Sequence, residues 1–106
     1  MNPICIVDDE ASITATVASI LKDEGYESLV FPDAESFWHK LDSLKPSLVL
    51  LDVWLPGMDG MQLLKRLHDR LPQLPVIMMS GHAGIEAAVA AIKAGAFDFL
   101  EKPLHL

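Results

Sequence analysis

Basic charge is scarce in this chain: eight Lys and Arg stand against fifteen Asp and Glu, a formal net charge of −7 over 106 residues. Surfaces that grip a phosphate backbone are basic, so direct nucleic-acid binding by this segment is not expected. An anionic domain suits a site that works with a bound cation. Cysteine is nearly absent as well. The single Cys5 has no partner for an internal disulfide and sits in an apolar run, which fits a reducing compartment and a small buried hydrophobe. No apolar run approaches the ~20 residues of a membrane span, and the N-terminus lacks the basic-then-apolar layout of a signal peptide. The expectation is a cytoplasmic chain that neither crosses nor enters a membrane. A glycine-rich G-x-G-x-x-G or P-loop, which a nucleotide-binding fold would carry after its first strand, is missing too. Asp8-Asp9-Glu10 occupy that place. No internal repeat, low-complexity stretch or linker interrupts the chain, and its length is that of one compact domain. A single domain over residues 1–106 is expected.

What is present is hydrophobic sequence in short pieces. Half of the residues are hydrophobic (51%) and 22% are charged, the balance of a globular chain rather than a disordered one. Continuous apolar runs recur at Ile4-Cys5-Ile6-Val7, Ser28-Leu29-Val30-Phe31, Leu48-Val49-Leu50-Leu51, Val76-Ile77-Met78-Met79 and Phe97-Asp98-Phe99-Leu100. Runs bounded by turn residues and apolar on both faces read as buried parallel strands, the second and last less uniformly than the others.

Between them the spacing turns helical. Ile13, Val17, Ile20 and Leu21 share a stripe that stops at Gly25. Asp33 is a good N-cap for a helix that places Phe37, Leu41 and Leu44 on one face before Pro46. Leu63, Leu64, Leu67 and Leu71 lead up to Pro72, and Ile85, Val89 and Ile92 lead up to Gly95. The pattern βαβαβαβαβ predicts an α/β fold, a doubly wound five-stranded parallel sheet with helices on both faces. After the fifth strand only Pro103-Leu104-His105-Leu106 remain, so the last covering helix is expected to be missing and one flank of the sheet bare.

In such sheets the ligand site lies outside the C-terminal ends of the strands. The residues there are Asp8, Asp9 and Glu10 after the first run, Asp52 after the third, Ser80 after the fourth and Lys102 after the fifth. Singly they are uninformative: an acid after a strand is often a helix N-cap, a lysine a solvated charge, a serine a turn residue. Jointly they fill every strand end that one crevice would use. Several carboxylates in a small volume repel one another unless a cation neutralises them, and magnesium suits one or two carboxylates with waters and a phosphate oxygen. His39, His68, His82 and His105 have no ligand spacing and are read as solvated or structural, and Phe37 and Trp38 as packing.

Val7-Asp8-Asp9-Glu10, Leu51-Asp52 with Leu55-Pro56-Gly57-Met58-Asp59-Gly60, Ser80-Gly81 and Lys102-Pro103 together resemble the receiver-domain signature of two-component response regulators, over the whole chain. The end of the stretch, Gly-Ala-Phe-Asp-Phe-Leu-Glu-Lys-Pro, is similar to the NtrC-like subfamily. The resemblance implies the flavodoxin-like (CheY-like) strand order 2-1-3-4-5. It implies Asp52 as phosphoacceptor from a sensor histidine kinase, with magnesium or manganese held by Asp9, Asp52 and the backbone carbonyl of Trp54 and by Asp8 through water. Glu10 competes with Asp8 for that outer role. It further implies Lys102 and Ser80 on the phosphoryl oxygens, Ser80 and Phe99 as the switch pair, and a cis peptide bond between Lys102 and Pro103. A homodimer through the fourth-helix and fifth-strand face is implied, as are an ATPase domain and a DNA-binding module beyond the receiver. No enzymatic activity is expected beyond the domain's own phosphorylation and dephosphorylation. A phosphatase that forms an aspartyl phosphate on a similar sheet would need Asp-x-Asp at the nucleophile, and Trp54 stands two after Asp52. A degenerate receiver serving only as an interaction module would be expected to lose Asp52, Lys102 or the acidic pair, and all are kept.

Overall fold

The sheet is laid down by β1 (Ile4–Val7), β2 (Ser28–Phe31), β3 (Leu48–Asp52), β4 (Val76–Ser80) and β5 (Asp98–Glu101), and α1 (Ala11–Asp23), α2 (Ala34–Leu44), α3 (Gly60–Arg70) and α4 (Ile85–Lys93) connect them in alternation. The computed structural model describes residues 2–81 and 84–102. All four strand pairings are parallel, in the order β2-β1-β3-β4-β5. The register sets Val7 beside Leu51 and Asp52 beside Met79, so the strand ends that carry polar residues lie in one row.

Two cores sandwich this sheet. Side chains alternate across each strand, so Cys5, Val7, Val49, Leu51, Val76 and Met78 face one side and meet Phe37, Leu41, Leu63, Leu64 and Leu67 of α2 and α3. Ile4, Ile6, Leu50 and Met79 face the other side, against Val17 of α1. Cys5 is fully buried, and burial pushes its thiol up to about 11. The helix termini follow local chemistry: the Asp33 side chain accepts the Ser36 N–H, and Asp59 and Gln62 form a reciprocal capping box at α3. On the outer face of α2 and α3, Trp38 lies under the guanidinium groups of Arg66 and Arg70, and Arg70 is ion-paired to Asp42. Among the described residues no helix is long and apolar enough to cross a membrane.

β2 and β5 are the two edges of the sheet, and Leu29 and Val30 of the less uniform second run are exposed. Two details differ from the sequence reading. β5 starts at Asp98 instead of Phe97, whose ring is 73% exposed although its N–H still donates to Val76 O. The Ile85-Val89-Ile92 stripe faces solvent, with Ile85 80% exposed, and it is Ala91 that is buried against the core. That helix is apolar nearly all round, and its alanines approach the sheet more closely than branched side chains can. Periodicity therefore marked a stripe without deciding which side turns inward. The Lys102–Pro103 bond, Leu104, Leu106, His82 and His105 lie outside the described residues.

Candidate functional site

Asp8 follows β1, and Asp52 and Ser80 are the last residues of β3 and β4; all three are buried. Lys102 comes one residue after β5, its N–H donating to Ser80 O at 2.9 Å. Parallel pairing thus delivers four polar side chains to one end of the sheet. The Lys102 ammonium sits 2.8 Å from Asp8 Oδ2, 2.9 Å from Glu10 Oε1 and 3.3 Å from Asp52 Oδ2. The ammonium donates to Glu10 Oε1 and lies within ion-pair distance of the other two carboxylates.

Backbone amides orient two of these acids. Asp8 Oδ1 accepts the Glu10 N–H at 3.0 Å, a tight turn that swings Glu10 back over the crevice. Asp52 Oδ1 accepts the Trp54 N–H at 3.3 Å, which leaves Oδ2 toward Lys102. Asp8, Glu10 and Asp52 each present a carboxylate oxygen within 4.8 Å of the other two. Against them stands a single lysine, so the cluster keeps an excess of two negative charges. Such a donor set, hard oxygens with surplus anionic charge, fits a hard divalent cation.

Electrostatics follow from this crowding. Burial and then the Asp8 charge push the Asp52 carboxyl up to about 6, against the opposing pull of Lys102 and the Trp54 N–H. Burial acts to lower Lys102, but its hydrogen bonds to Asp8 and Glu10 and the charges of Asp52 and Asp8 outweigh it and hold the ammonium above the ordinary lysine value. A cavity of about 710 Å³ opens over the cluster, lined by Asp9, Glu10, Ile13, Asp52, Trp54, Gly81 and Lys102. A second cavity of about 540 Å³ lies at the opposite end of the sheet, among Leu41, Pro46, Leu71, Leu74 and Pro75. The gathered carboxylates and the lysine belong to the first, which is the candidate site.

The sequence-predicted residues converge with one shift of emphasis. Asp8, Asp52, Ser80 and Lys102 meet as expected. Asp9 lines the cavity but lies outside the close group of three carboxylates, whereas Glu10 is inside it. The Trp54 indole is 62% exposed at the rim. Phe99 is half-buried and packs against the larger core. One residue near the site carried no sequence signal. Glu35, 23 positions before Met58, accepts the Met58 N–H at 3.1 Å.

Comparison with known proteins agrees with this geometry. Residues 4–106 match the family model described as the response regulator receiver domain. The chain is 48% identical over 106 residues to the nitrogen assimilation regulatory protein NtrX of Azorhizobium caulinodans, a match covering 98% of the chain and 23% of that protein. It is 39% identical over 103 residues to the DNA-binding transcriptional regulator NtrC of Escherichia coli K12, covering 97% and 22%. The chain thus spans less than a quarter of either relative. Among solved structures it is similar to the receiver domain of NtrX from Brucella abortus, with a TM-score of 0.90 and 48% identity over 96% of this chain and 87% of that one. It is also similar to the beryllofluoride-activated NtrC4 receiver domain dimer, with a TM-score of 0.93 and 37% identity over 99% and 87%.

Proposed function

Because the chain belongs to the response regulator receiver domain family, we propose that residues 1–106 form one receiver domain, that Asp52 is its phosphoacceptor and that a sensor histidine kinase is the physiological donor. The observation that carries this reading is the position of Asp52 Oδ2, buried at the end of the central strand, 3.3 Å from the Lys102 ammonium and open to a cavity. Attack by that carboxylate on a phosphoryl group develops negative charge on the equatorial oxygens, and a fixed cation beside them stabilises it. Lys102 is held in place for that task by three acids. Ser80, buried at the neighbouring strand end, supplies a hydroxyl for the bound phosphoryl oxygens, and Phe99, beside Met78 in the β4–β5 register, is the aromatic partner of the switch.

Magnesium or manganese would be held by Asp9, Asp52 and the Trp54 backbone carbonyl, with Asp8 through water, and Glu10 stands close enough to the cluster to share the work. When bound, the ion neutralises the surplus charge that otherwise repels an incoming phosphate. The chain's own chemistry is limited to this self-modification. Output is proposed to be transcriptional, through an ATPase and a DNA-binding module of a longer protein, by analogy with the named regulators. Dimerisation through the α4–β5 face is supported by the exposed apolar strip Ile85, Val89, Ile92 and Phe97, an arrangement that invites a partner, and by the similarity to a receiver solved as a dimer. A cytoplasmic location follows from this role.

Incubation with acetyl phosphate and magnesium, read by intact mass, tests the reading. The parent should gain one phosphoryl mass, chelation should stop the gain, and Asp52→Ala should gain none. Asp9→Ala should weaken magnesium binding more than Asp8→Ala. A full-strength adduct on Asp52→Ala would move the phosphoacceptor elsewhere, and an equal or reversed magnesium ranking would remove Asp9 as a direct ligand.

A further inference from the structure

The loop between β3 and α3 closes on itself beneath the site. Val53 N–H donates to Met79 O and Gly60 N–H donates to Val53 O, both at 3.0 Å. Gly60 lies so close to β3 that a Cβ there would fall 2.0 Å from the Asp52 carbonyl oxygen. This clasp leaves residues 54–59 as a short arch. At its near end the Trp54 N–H orients Asp52 Oδ1, and at its far end Asp59 caps α3.

The apex of the arch, Gly57-Met58, is gripped from outside by one side chain. Glu35, on the first turn of α2, accepts the Met58 N–H through Oε2 at 3.1 Å, while its Oε1 is buried with no hydrogen-bond partner among the described residues. Two features show that the backbone is shaped for this approach. Gly57 has φ +72°, a conformation that suits glycine, and a Cβ on it would fall 2.4 Å from Glu35 Oε2. The Glu35 carboxylate also sits at the positive end of the α2 dipole, where negative charge is favoured. Its other oxygen is buried without a hydrogen-bond partner among the described residues, so the bond from Met58 N–H to Oε2 is the contact that ties this side chain to the arch.

We propose that Glu35 is a positioning residue for the phosphoacceptor: by holding the apex of the 54–59 arch it keeps the Trp54 N–H on Asp52 Oδ1, and so aims Asp52 Oδ2 at Lys102 and the incoming phosphoryl group. The inference rests on Asp52 being the phosphoacceptor. Glu35 touches neither Asp52 nor Lys102 and acts only through the loop backbone.

The test compares the parent, Glu35→Ala and Glu35→Gln, each with acetyl phosphate and magnesium. Rates of phosphoryl mass gain are measured beside thermal melts and hydrogen exchange at the Met58 amide. Loss of the acceptor in Glu35→Ala should slow mass gain by about tenfold, as small misplacements of reacting groups do, and abolish protection of the Met58 amide. Glu35→Gln keeps a carbonyl oxygen for Met58 and should recover both the protection and a rate within roughly twofold of the parent. A folded Glu35→Ala phosphorylated at the parental rate would overturn the positioning role, as would a Glu35→Gln as slow as Glu35→Ala. Should Glu35→Ala fail to fold, Glu35→Gln decides alone: a protected Met58 amide with near-parental rate supports the tether, and loss of either refutes it. A parent that gains no phosphoryl mass would instead remove the reading of Asp52 on which the inference stands.

Discussion

Replacing Asp52 with asparagine should stabilise the metal-free chain at neutral pH, even though it removes the proposed phosphoacceptor. The magnitude follows from the site. Burial and the Asp8 charge lift the Asp52 carboxyl from 3.8 to about 6 in the folded chain, whereas in the unfolded chain it titrates near its ordinary value of ~3.9. Between those two pH values the folded form keeps the proton and the unfolded form has lost it. Stability therefore falls as pH rises from about 4 to about 6 and stays reduced above that. At ~1.36 kcal/mol for each pH unit separating the two titrations, the loss amounts to about 2–3 kcal/mol. The asparagine side chain has no proton to lose, so Asp52→Asn should match the parent near pH 4 and exceed it by that amount at pH 7–8, or about 10 °C in melting temperature for a chain of this size. Urea unfolding in the presence of a chelator from pH 4 to pH 8 would measure it, with an unchanged slope confirming that the unfolded states are comparable. Magnesium at a hundredfold excess over its dissociation constant should return about 2.7 kcal/mol to the parent and less to the variant. A stability difference independent of pH, or an Asp52→Asn variant weaker than the parent at pH 8, would refute the argument that desolvation and Asp8 disfavour the charged form of Asp52.

Two further outcomes follow from the same geometry. Ser80→Ala should still accept the phosphoryl group but show much smaller chemical-shift changes across α4 and β5 on phosphorylation than the parent; undiminished changes would remove Ser80 from the switch. Gly60→Ala should cost several kcal/mol of stability, more than the ~1 kcal/mol typical of a point substitution, because the added methyl meets the Asp52 carbonyl oxygen 2.0 Å away; equilibrium unfolding near the parental midpoint would show that β3 and α3 can separate cheaply.

Much of this architecture was legible from period alone. The five strands and four helices fall where apolar runs and helical stripes placed them, with most ends shifted by a residue or two at most, because parallel strands buried on both faces leave an unbroken apolar signature. The rule that ligands sit beyond the C-terminal strand ends then assembled Asp8, Asp52, Ser80 and Lys102 without coordinates. What periodicity could not convey is side-chain direction outside regular elements. Glu10 turns over the crevice, with Asp9 left at its wall, because Asp8 Oδ1 accepts the Glu10 N–H, a local turn with no repeating signal. The facing of α4 was illegible because a helix apolar nearly all round has no polar face to mark the outside. Glu35 was silent because its link to Met58 joins a helix start to a loop, two positions that share no pattern.

The ion pairs at Lys102 also bear on how a phosphoryl group can be received. Three carboxylates lie within 2.8–3.3 Å of the Lys102 ammonium, which donates to Glu10 Oε1, so an oxygen that joins Lys102 competes with these contacts. The three are not equivalent. The Asp8 and Asp52 side chains are almost wholly buried, whereas that of Glu10 is 56% exposed, and Lys102 itself is only 7% exposed. Releasing a buried carboxylate from its cation strands a desolvated charge, at a cost of order 3–5 kcal/mol. Releasing Glu10 returns its half-exposed carboxylate to water, so it strands less desolvated charge than releasing Asp8 or Asp52 would. If Asp52 is the phosphoacceptor as proposed, Glu10 is the partner expected to yield, with Asp8 keeping the lysine while a phosphoryl oxygen takes the place of Glu10.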